Sequence, residues 1–253
     1  MARTKATVSI EGRDLSGMKL FSGNAHRELA DRVADYLGID LGRLTSTKFS
    51  DGEIRVMALL IPVGAFLVFY STFRGIYPMF GKAVRVALFE TVSALTTTGF
   101  STVSYHGWPP MAWFVLIVLM IVGGGSCSTA GGLKQYRAYL LFKAMIWEVK
   151  RFFLPRTAVV ENFVWQGENR DYIKDDRIRQ ASLFLYLYLI CFVVSTGILT
   201  AYGFGIPEAM FESASSLSTV GLSVGVTSAA APPAALWTET AGMFLGRLEF
   251  FIV

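Results

Sequence analysis

After its first 56 residues, the chain alternates long uncharged apolar segments with short polar ones. The first of these segments, Met57–Phe73, contains no charged residue over 17 positions and lies between Arg55 and Arg74. An α-helix rises about 1.5 Å per residue, so the segment is just long enough to cross a hydrocarbon core of about 30 Å. Pro62 near its start is compatible with this interpretation, because membrane helices tolerate proline. The pattern predicts a first membrane-spanning helix.

Three further apolar segments follow. Met111–Val122 begins a second span, which the letters "GGGSCSTAGG" interrupt and which resumes from Leu133. Ala181–Tyr202 is the clearest single span, and a last one begins near Trp237. Together the four segments predict a mainly α-helical, polytopic membrane protein.

Composition supports the membrane interpretation. Of the 253 residues, 53% are hydrophobic and only 17% are charged, and the mean hydropathy is +0.48. The formal net charge of +4 comes without a basic patch interleaved with aromatic residues, so we predict no nucleic-acid partner. The two cysteines, Cys127 and Cys191, lack CxxC spacing and predict neither a zinc site nor a disulfide. No cofactor is expected.

The N-terminal part has a different character. Residues 1–56 hold nine Lys or Arg and eight Asp or Glu, a balance typical of soluble protein. We expect residues 1–17 to be a disordered leader. Beyond them, Met18–Gly23 predicts a short strand, Ala25–Gly38 an amphipathic helix, and Thr47–Val56 a strand interrupted by an Asp-Gly turn. The sequence therefore predicts a small α/β fragment over residues 18–56.

The amino-acid sequence of this fragment resembles a known enzyme family. "KLFSGNAHRELADRVADYLG" followed by "FSDGEIRV" is similar to the first βαβ segment of ribose-phosphate pyrophosphokinase. The resemblance implies that Phe49, Asp51 and Glu53 correspond to a loop that helps to hold ATP. Nothing further along the chain resembles the metal-binding histidine, the catalytic flap or the acidic ribose-phosphate loop of that family. We therefore predict a vestigial ATP-contact loop and no enzymatic activity.

The distribution of basic residues predicts the orientation of the spans. Lys134–Gln180 carries ten Lys or Arg against six Asp or Glu, whereas Ser101–Pro110 and Leu222–Thr238 carry no Lys or Arg. Basic loops stay on the cytoplasmic side of a membrane. We expect the connection over residues 151–180 and the N-terminal fragment to be cytoplasmic. The expected location is the inner (plasma) membrane, crossed several times.

An internal repeat lies between the predicted spans. "FETVSALTTTGFS" (Phe89–Ser101) and "FESASSLSTVGLS" (Phe211–Ser223) are identical at seven of thirteen positions, at a constant offset of 122 residues. Each copy predicts a short helix, over Phe89–Leu95 and Phe211–Leu217, that leads into a Thr/Gly loop. The predicted unit is a span, a pore loop and a second span. It occurs over residues 57–150 and 181–253, with the second copy clipped at its C-terminus.

The chemistry of these loops suits a monovalent cation. Irregular backbone at membrane depth is tolerated only where protein or a water-filled cavity surrounds it. Glycine lets carbonyl oxygens turn inward to replace an ion's hydration shell, and Thr and Ser add uncharged oxygens. A plain connection between spans is the alternative interpretation. Glu90 and Glu212 could either attract cations or tie the short helices structurally.

Two further motifs complete a second resemblance. With the loops, "GGGSCSTAGGLK" (Gly123–Lys134) and "GMFLGRLE" (Gly242–Glu249) resemble the Trk/Ktr/HKT superfamily of potassium transporters. Its members have four span–loop–span repeats around one pathway, and residues 57–253 match the third and fourth. The resemblance implies these residues of a potassium selectivity filter: Thr97, Thr98, Gly99, Phe100, Thr219, Val220, Gly221 and Leu222.

The same resemblance implies a gate below the filter. Its residues would be Gly123, Gly124, Gly125, Ser126, Ser128, Thr129, Gly131 and Gly132, with Arg247 facing them from the last span. The glycine-rich stretch does not fit a phosphate loop, because Leu133 precedes Lys134 and Gln135 follows it. Arg247 has alternatives: a structural pair with Glu249 or Glu212, or snorkelling at a span end.

The predicted function is potassium transport by a truncated subunit of this superfamily. The resemblance further implies a homodimer and a cytoplasmic nucleotide-binding regulatory subunit, in addition to the lipid bilayer. Two alternatives remain open. One is a non-functional fusion or gene-prediction chimera joined between Val56 and Met57, and the other is a nucleotide-dependent enzyme fragment tethered to a membrane.

Overall fold

The computed structural model describes residues 20–22, 27–39, 41–42, 51–73, 75–126, 128–153, 163–166, 169–173, 175–228 and 231–247. The chain divides into two units, residues 1–48 and residues 49–253. The first predicted boundary, between residues 17 and 18, lies outside the described residues.

The first unit contains one helix, α1 (Arg27–Leu37), within its described residues. Gly38 follows α1 with φ of +66°, and a parallel bridge joins Leu20 to Leu41. The bridge partner Leu41 precedes the predicted second strand, Thr47–Val56, so only the predicted helix and a bridge within the predicted first strand are seen among the described residues. The apolar stripe of α1 is not covered, because Leu29 and Val33 are exposed. So short a segment offers little surface for a core.

The second unit is built from seven helices and one hairpin in its described residues. The helices are α2 (Asp51–Thr72), α3 (Phe80–Leu95), α4 (Pro110–Val122), α5 (Gln135–Phe153), α6 (Asp175–Ala201), α7 (Ile206–Leu217) and α8 (Pro233–Arg247). The hairpin pairs β1 (Phe163–Gln166) with β2 (Asn169–Tyr172) in antiparallel fashion, with Phe163 opposite Tyr172. This order confirms the prediction of a mainly helical chain.

Two helices are long and apolar enough to cross a membrane, judged by length and composition over the described residues. They are Glu53–Thr72 in α2 and all of α6, with mean hydropathies of 2.0 and 2.2. Only 11% and 22% of their most apolar windows are buried. A core helix of a soluble protein would be mostly buried, so these exposed apolar faces favour contact with lipid. Helix α4 is a shorter apolar helix.

Within residues 49–253, two groups of three helices pack in the same order. Helix α3 packs against α2 and α4, and α7 packs in the same way against α6 and α8. Helix α4 also packs against α7, and this contact joins the two helix groups. Their shared core contains Leu95, Leu116, Met120, Phe184, Phe211 and Leu217. The core is therefore built where the two short helices meet long neighbours.

Two sequence predictions about helix starts were wrong. Residues 51–56 form the first turns of α2 and not a strand, and residues 47–50 lie outside the described part. Burial along α2 recurs at Glu53, Gly64, Val68 and Thr72, a spacing that fits a helix. The short helices also begin earlier than predicted, at Phe80 and Ile206, because the repeat marks only their conserved-looking ends.

Candidate functional site

Each short helix ends in a loop rich in Thr and Gly. Helices α3 and α7 end at Leu95 and Leu217, which are 122 positions apart. We call residues 96–103 the first Thr-Gly loop and residues 218–225 the second Thr-Gly loop. The predicted filter residues all lie in these two loops.

The two loops have the same backbone conformation. Thr97 and Thr219 both have φ of +53°, and two positions later Gly99 and Gly221 have φ of +77° and +89°. A β-branched residue rarely adopts positive φ, so the surroundings must hold both threonines in place. The internal repeat of the sequence is therefore also a repeat of geometry.

Matching hydrogen bonds fold each loop back onto the helix that precedes it. The N–H of Thr98 donates to the carbonyl oxygen of Ser93 at 3.0 Å, and the N–H of Val220 donates to that of Ser215 at 2.9 Å. The second loop has an additional tie, because the hydroxyl of Ser218 lies 2.8 Å from that of the buried Tyr188 on α6. Each loop is thus fixed at its start.

Glu90 ties down the far end of the first Thr-Gly loop. Its buried carboxylate accepts hydrogen bonds from the N–H and the hydroxyl of Thr102, both at 2.8 Å, and from the hydroxyl of Tyr105. Burial raises the pKa of Tyr105, and the hydrogen bond to Glu90 raises this pKa further. The Tyr105 hydroxyl therefore remains protonated and keeps donating.

Glu212 does the same for the second Thr-Gly loop. Its carboxylate accepts hydrogen bonds from the N–H of Val224 at 3.0 Å, the hydroxyl of Ser223 at 2.5 Å and the hydroxyl of Thr227 at 3.0 Å. Thr227 is 122 positions after Tyr105, so the network repeats where the residue type does not. Of the two roles open for these carboxylates, the contacts support the structural tie.

The two loops touch each other at the first glycine. A methyl group on Gly99 would overlap the carbonyl oxygen of Val220, whereas one on Gly221 would meet no atom within 4 Å. Exposure is also unequal at equivalent positions, since Phe100 is 71% exposed and Leu222 only 2%. The first loop therefore has an uncovered side that the second loop lacks.

Between α4 and α5 the chain forms a compact loop of small residues. We call residues 123–134 the glycine segment. The N–H of Leu133 donates to the carbonyl oxygen of Ile121 at 2.9 Å, and that of Gln135 donates to Gly124 at 3.0 Å. These bonds bring the end of the segment back to its beginning. The glycine segment thus separates α4 from α5, at the place where the sequence predicted an interruption.

The glycine segment lies against the start of both Thr-Gly loops. A Cβ atom on Gly131 would be 2.6 Å from the carbonyl oxygen of Ser218, and one on Gly124 would be 3.7 Å from that of Thr96. These two carbonyls are equivalent in the repeat. The structure thus brings the predicted gate residues next to the predicted filter residues.

Arg247 contacts the same segment from the end of α8. Its Nη1 donates a hydrogen bond to the carbonyl oxygen of Thr129 at 2.8 Å. Of the alternative partners, Glu212 binds the groups given above, and Glu249 lies outside the described residues. The contact with the glycine segment is the one that the resemblance implied.

Glu53 is the residue whose position the sequence reasoning missed. It was assigned to an ATP-contact loop, yet it lies in α2, and its buried carboxylate accepts hydrogen bonds from the N–H of Ser126, at 2.9 Å, and from the Ser126 hydroxyl. Asp51 begins the same helix, and Phe49 lies outside the described residues. Nothing in the local pattern signals a contact with a partner 73 positions away.

Exposed apolar helices and two equivalent helix–loop units are typical of an α-helical membrane protein. Comparison with known proteins identifies its family. The model of the TrkH family, described as cation transport protein, matches residues 49–253. The chain belongs to this family.

Its relatives agree with this assignment. The Trk system potassium uptake protein TrkH of Escherichia coli is 32% identical over 218 residues, which cover 83% of this chain and 43% of that protein. An uncharacterized cation transporter of Methanocaldococcus jannaschii is 31% identical, covering 66% of this chain and 34% of that protein. The crystal structure of the potassium transporter TrkH from Vibrio parahaemolyticus matches with a TM-score of 0.67 and 30% identity. The match covers 79% of this chain and 42% of that one.

This chain spans less than half the length of each of these relatives. In addition, the N-terminal domain of ribose phosphate pyrophosphokinase matches residues 18–60, so the two family matches overlap in the first turns of α2. Both resemblances drawn from the sequence are confirmed, and the enzyme match is confined to a short N-terminal segment.

Proposed function

We propose that this chain forms part of a potassium pathway in which the two Thr-Gly loops are selectivity-filter loops. The observation that carries the proposal is their equivalence. Two loops 122 positions apart have the same backbone conformation, are tied by equivalent carboxylates, Glu90 and Glu212, and meet at Gly99 and Val220. Plain connections between spans have no reason to repeat such a geometry.

The atoms that line the loops suit a monovalent cation. Backbone carbonyls and threonine hydroxyls carry partial negative charge, which replaces part of a hydration shell without holding the ion permanently. Helices α3 and α7 end directly at the loops, so the negative ends of both helix dipoles lie beside the ion. The conformation of Gly221 leaves open space beside its Cα atom, where an ion could pass.

The glycine segment is the gate of this pathway. It packs below the equivalent carbonyls of Thr96 and Ser218, and no side chain larger than hydrogen fits at Gly131. Arg247 holds the segment by its main chain at Thr129. Release of this contact would free a loop whose small residues allow it to move aside.

A complete pathway needs more protein than this chain supplies. The uncovered side at Phe100 and the share of the relatives' length point to further loops, contributed by a longer parent chain or by a second copy. In the proposed topology, residues 134–180 and the N-terminal unit face the cytoplasm of the inner membrane. The basic residues of that face would meet a regulatory subunit.

The second candidate is a chimera without a function of its own. It is favoured by the overlap of the two family matches at residues 49–60. A sequence read across codons 40–70 of the source DNA and its transcript decides this point. A continuous read supports a genuine chain, and a break there assigns the potassium pathway to a longer parent protein.

Flux measurements test the proposed function. The full chain is reconstituted in liposomes, and uptake of rubidium is compared with uptake of sodium. Gly221→Val should abolish rubidium uptake, because the new side chain enters the open space at the loop. Gly107→Val is the matched control, since Gly107 also has positive φ and open surroundings but lies outside both loops. Equal uptake by the parent and the Gly221 variant would overturn the proposal.

A further inference from the structure

The carboxylate of Glu53 is an unusual group to find beneath a glycine-rich loop. Its side chain is 5% exposed, although a carboxylate is costly to bury without partners. Its Oε1 atom receives two donors from a single residue, the backbone N–H of Ser126 and the Ser126 hydroxyl. Hydrogen bonds to a charged acceptor are stronger than neutral ones. The pair therefore fixes Ser126 both by its main chain and by its side chain.

A second contact holds the same residue from its other side. The Nζ atom of Lys134 donates to the carbonyl oxygen of Ser126 at 3.2 Å. The amide N–H and the carbonyl of Ser126 are thus both bound, the first to Glu53 of α2 and the second to Lys134 at the end of the glycine segment. Three residues after Ser126, the carbonyl oxygen of Thr129 accepts a hydrogen bond from Arg247.

Helix α2 gives Glu53 a rigid base. Val56, one turn after Glu53, packs on a cluster that contains Tyr139 and Leu140 of α5, and α2 packs against both α4 and α5. The carboxylate therefore has a fixed position relative to the helices on both sides of the glycine segment. A loop that contains many glycines loses much conformational entropy on ordering, so such an anchor has a clear physical purpose.

We propose that Glu53 is a positioning residue that holds the glycine segment in its closed conformation through Ser126. Its effect on transport rests on the proposed function, but its effect on the segment does not. Helix α2 thereby acts on the segment at Ser126, and helix α8 acts on it at Thr129. The gate is held from two separate helices.

The test uses a thiol that the chain already has. Cys127 follows Ser126, and Cys191 is the other cysteine of the sequence, so Cys191→Ser leaves a single thiol beside the anchored residue. The rate at which a maleimide modifies Cys127 is measured in the full chain in liposomes. Glu53→Ala should raise this rate about tenfold, because the two bonds to a charged acceptor are lost. Glu53→Gln should restore a rate within about threefold of the parent, because the amide oxygen can still accept both bonds.

The control is Glu148→Ala, which removes an exposed carboxylate on α5 and should leave the rate unchanged. A parental rate in folded Glu53→Ala would overturn the proposal. Where Glu53→Ala fails to yield folded protein, Ser126→Ala decides instead. That variant loses only the hydroxyl bond, and a rate equal to the parent's would overturn the proposal as well.

Rubidium uptake by the same samples separates this inference from the proposed function. If the chain transports, Glu53→Ala should raise basal uptake several-fold and Glu53→Gln should not. If the parent and all variants show no uptake while the thiol rates change as expected, the anchor stands and the transport proposal fails. If uptake occurs and the thiol rates do not change, the transport proposal stands and the anchor fails.

Discussion

Glu90 and Glu212, 122 positions apart in the chain, each accept a hydrogen bond from the backbone N–H group twelve residues further along. Both carboxylates are buried beneath the loop that they hold. Replacing either by Ala leaves that N–H and one or more hydroxyls without a partner. We expect each substitution to lower the free energy of unfolding by about 2–3 kcal/mol, measured by chemical denaturation in detergent.

The two effects should also be of the same order, because each carboxylate accepts the equivalent backbone bond, although Thr227 keeps a second acceptor, Glu239 at 2.9 Å, when Glu212 is replaced. Glu148→Ala removes an exposed carboxylate of the same charge and should change stability by less than about 0.5 kcal/mol. A Glu90→Ala variant as stable as Glu148→Ala would contradict the structural role.

Substitutions of the two equivalent glycines should differ in their consequences. Ala at either position is strained, because φ is +77° at Gly99 and +89° at Gly221, a cost of about 1–3 kcal/mol. Gly99→Ala adds an overlap with the carbonyl oxygen of Val220, whereas Gly221→Ala projects into open space. We expect a clearly lower melting temperature for Gly99→Ala than for Gly221→Ala, measured by thermal unfolding in the same detergent. Equal melting temperatures would show that the two loops do not pack at this point.

The ends of these loops show what the sequence could and could not reveal. Leu95 and Leu217 were predicted as the ends of short helices because identical residues recur around them. Tyr105 and Thr227 occupy equivalent places in the two networks, yet one is a phenol and the other an aliphatic alcohol. The equivalence of Tyr105 and Thr227 depends on the position of each hydroxyl in space, so a comparison of residue types cannot detect it.

The prediction for residues 51–56, the start of α2, was wrong for a different reason. Residues 47–56 alternate polar and apolar positions well enough to fit a strand, and a short segment cannot decide between the two periods. In the structure, Val56 packs on α5 and Glu53 binds Ser126, and both contacts require the helical spacing. Contacts between positions distant in sequence decided the conformation, and these were invisible at the level of local pattern.

If the glycine segment is the gate that we propose, loss of Arg247 should weaken its closed state. Arg247→Gln replaces the charged guanidinium that donates to the carbonyl oxygen of Thr129 by a shorter, neutral amide, and it should raise basal rubidium uptake several-fold in liposomes, where the chain transports. Arg151→Gln is the matched control, because Arg151 is an exposed arginine of α5 near Glu148. Unchanged uptake in Arg247→Gln beside an active parent would exclude a role for this contact in closing the pathway.

The hydroxyl of Tyr188 should contribute more to stability than the hydroxyl of Tyr186 on the same helix. Tyr188→Phe removes the bond to Ser218 at the start of the second Thr-Gly loop and should lower stability by about 1 kcal/mol. Tyr186, two residues earlier, is exposed, so Tyr186→Phe should have no measurable effect. Chemical denaturation of both variants checks the difference, and equal stabilities would argue against the buried bond.

The proposed orientation can be read from labelling at two engineered positions. In a background with both native cysteines replaced by Ser, His106→Cys lies in the connection before α4 and Lys150→Cys near the end of α5, and both positions are exposed. A membrane-impermeant maleimide added to intact cells should label His106→Cys and not Lys150→Cys, because the proposed topology places the basic segment in the cytoplasm. The reverse result would invert the topology.

The glycine segment is gripped by its main chain more than by its side chains. Lys134 and Arg247 bind the carbonyl oxygens of Ser126 and Thr129, and Glu53 binds the amide of Ser126. A saturation library across the segment should therefore divide sharply. Position 129, whose side chain is exposed, should accept many residue types, while positions 124 and 131 should accept almost none. The conformation of the glycine segment thus depends on the space around its backbone more than on the identity of its exposed side chains. Related chains could differ in many of its residues and still hold it by the same contacts.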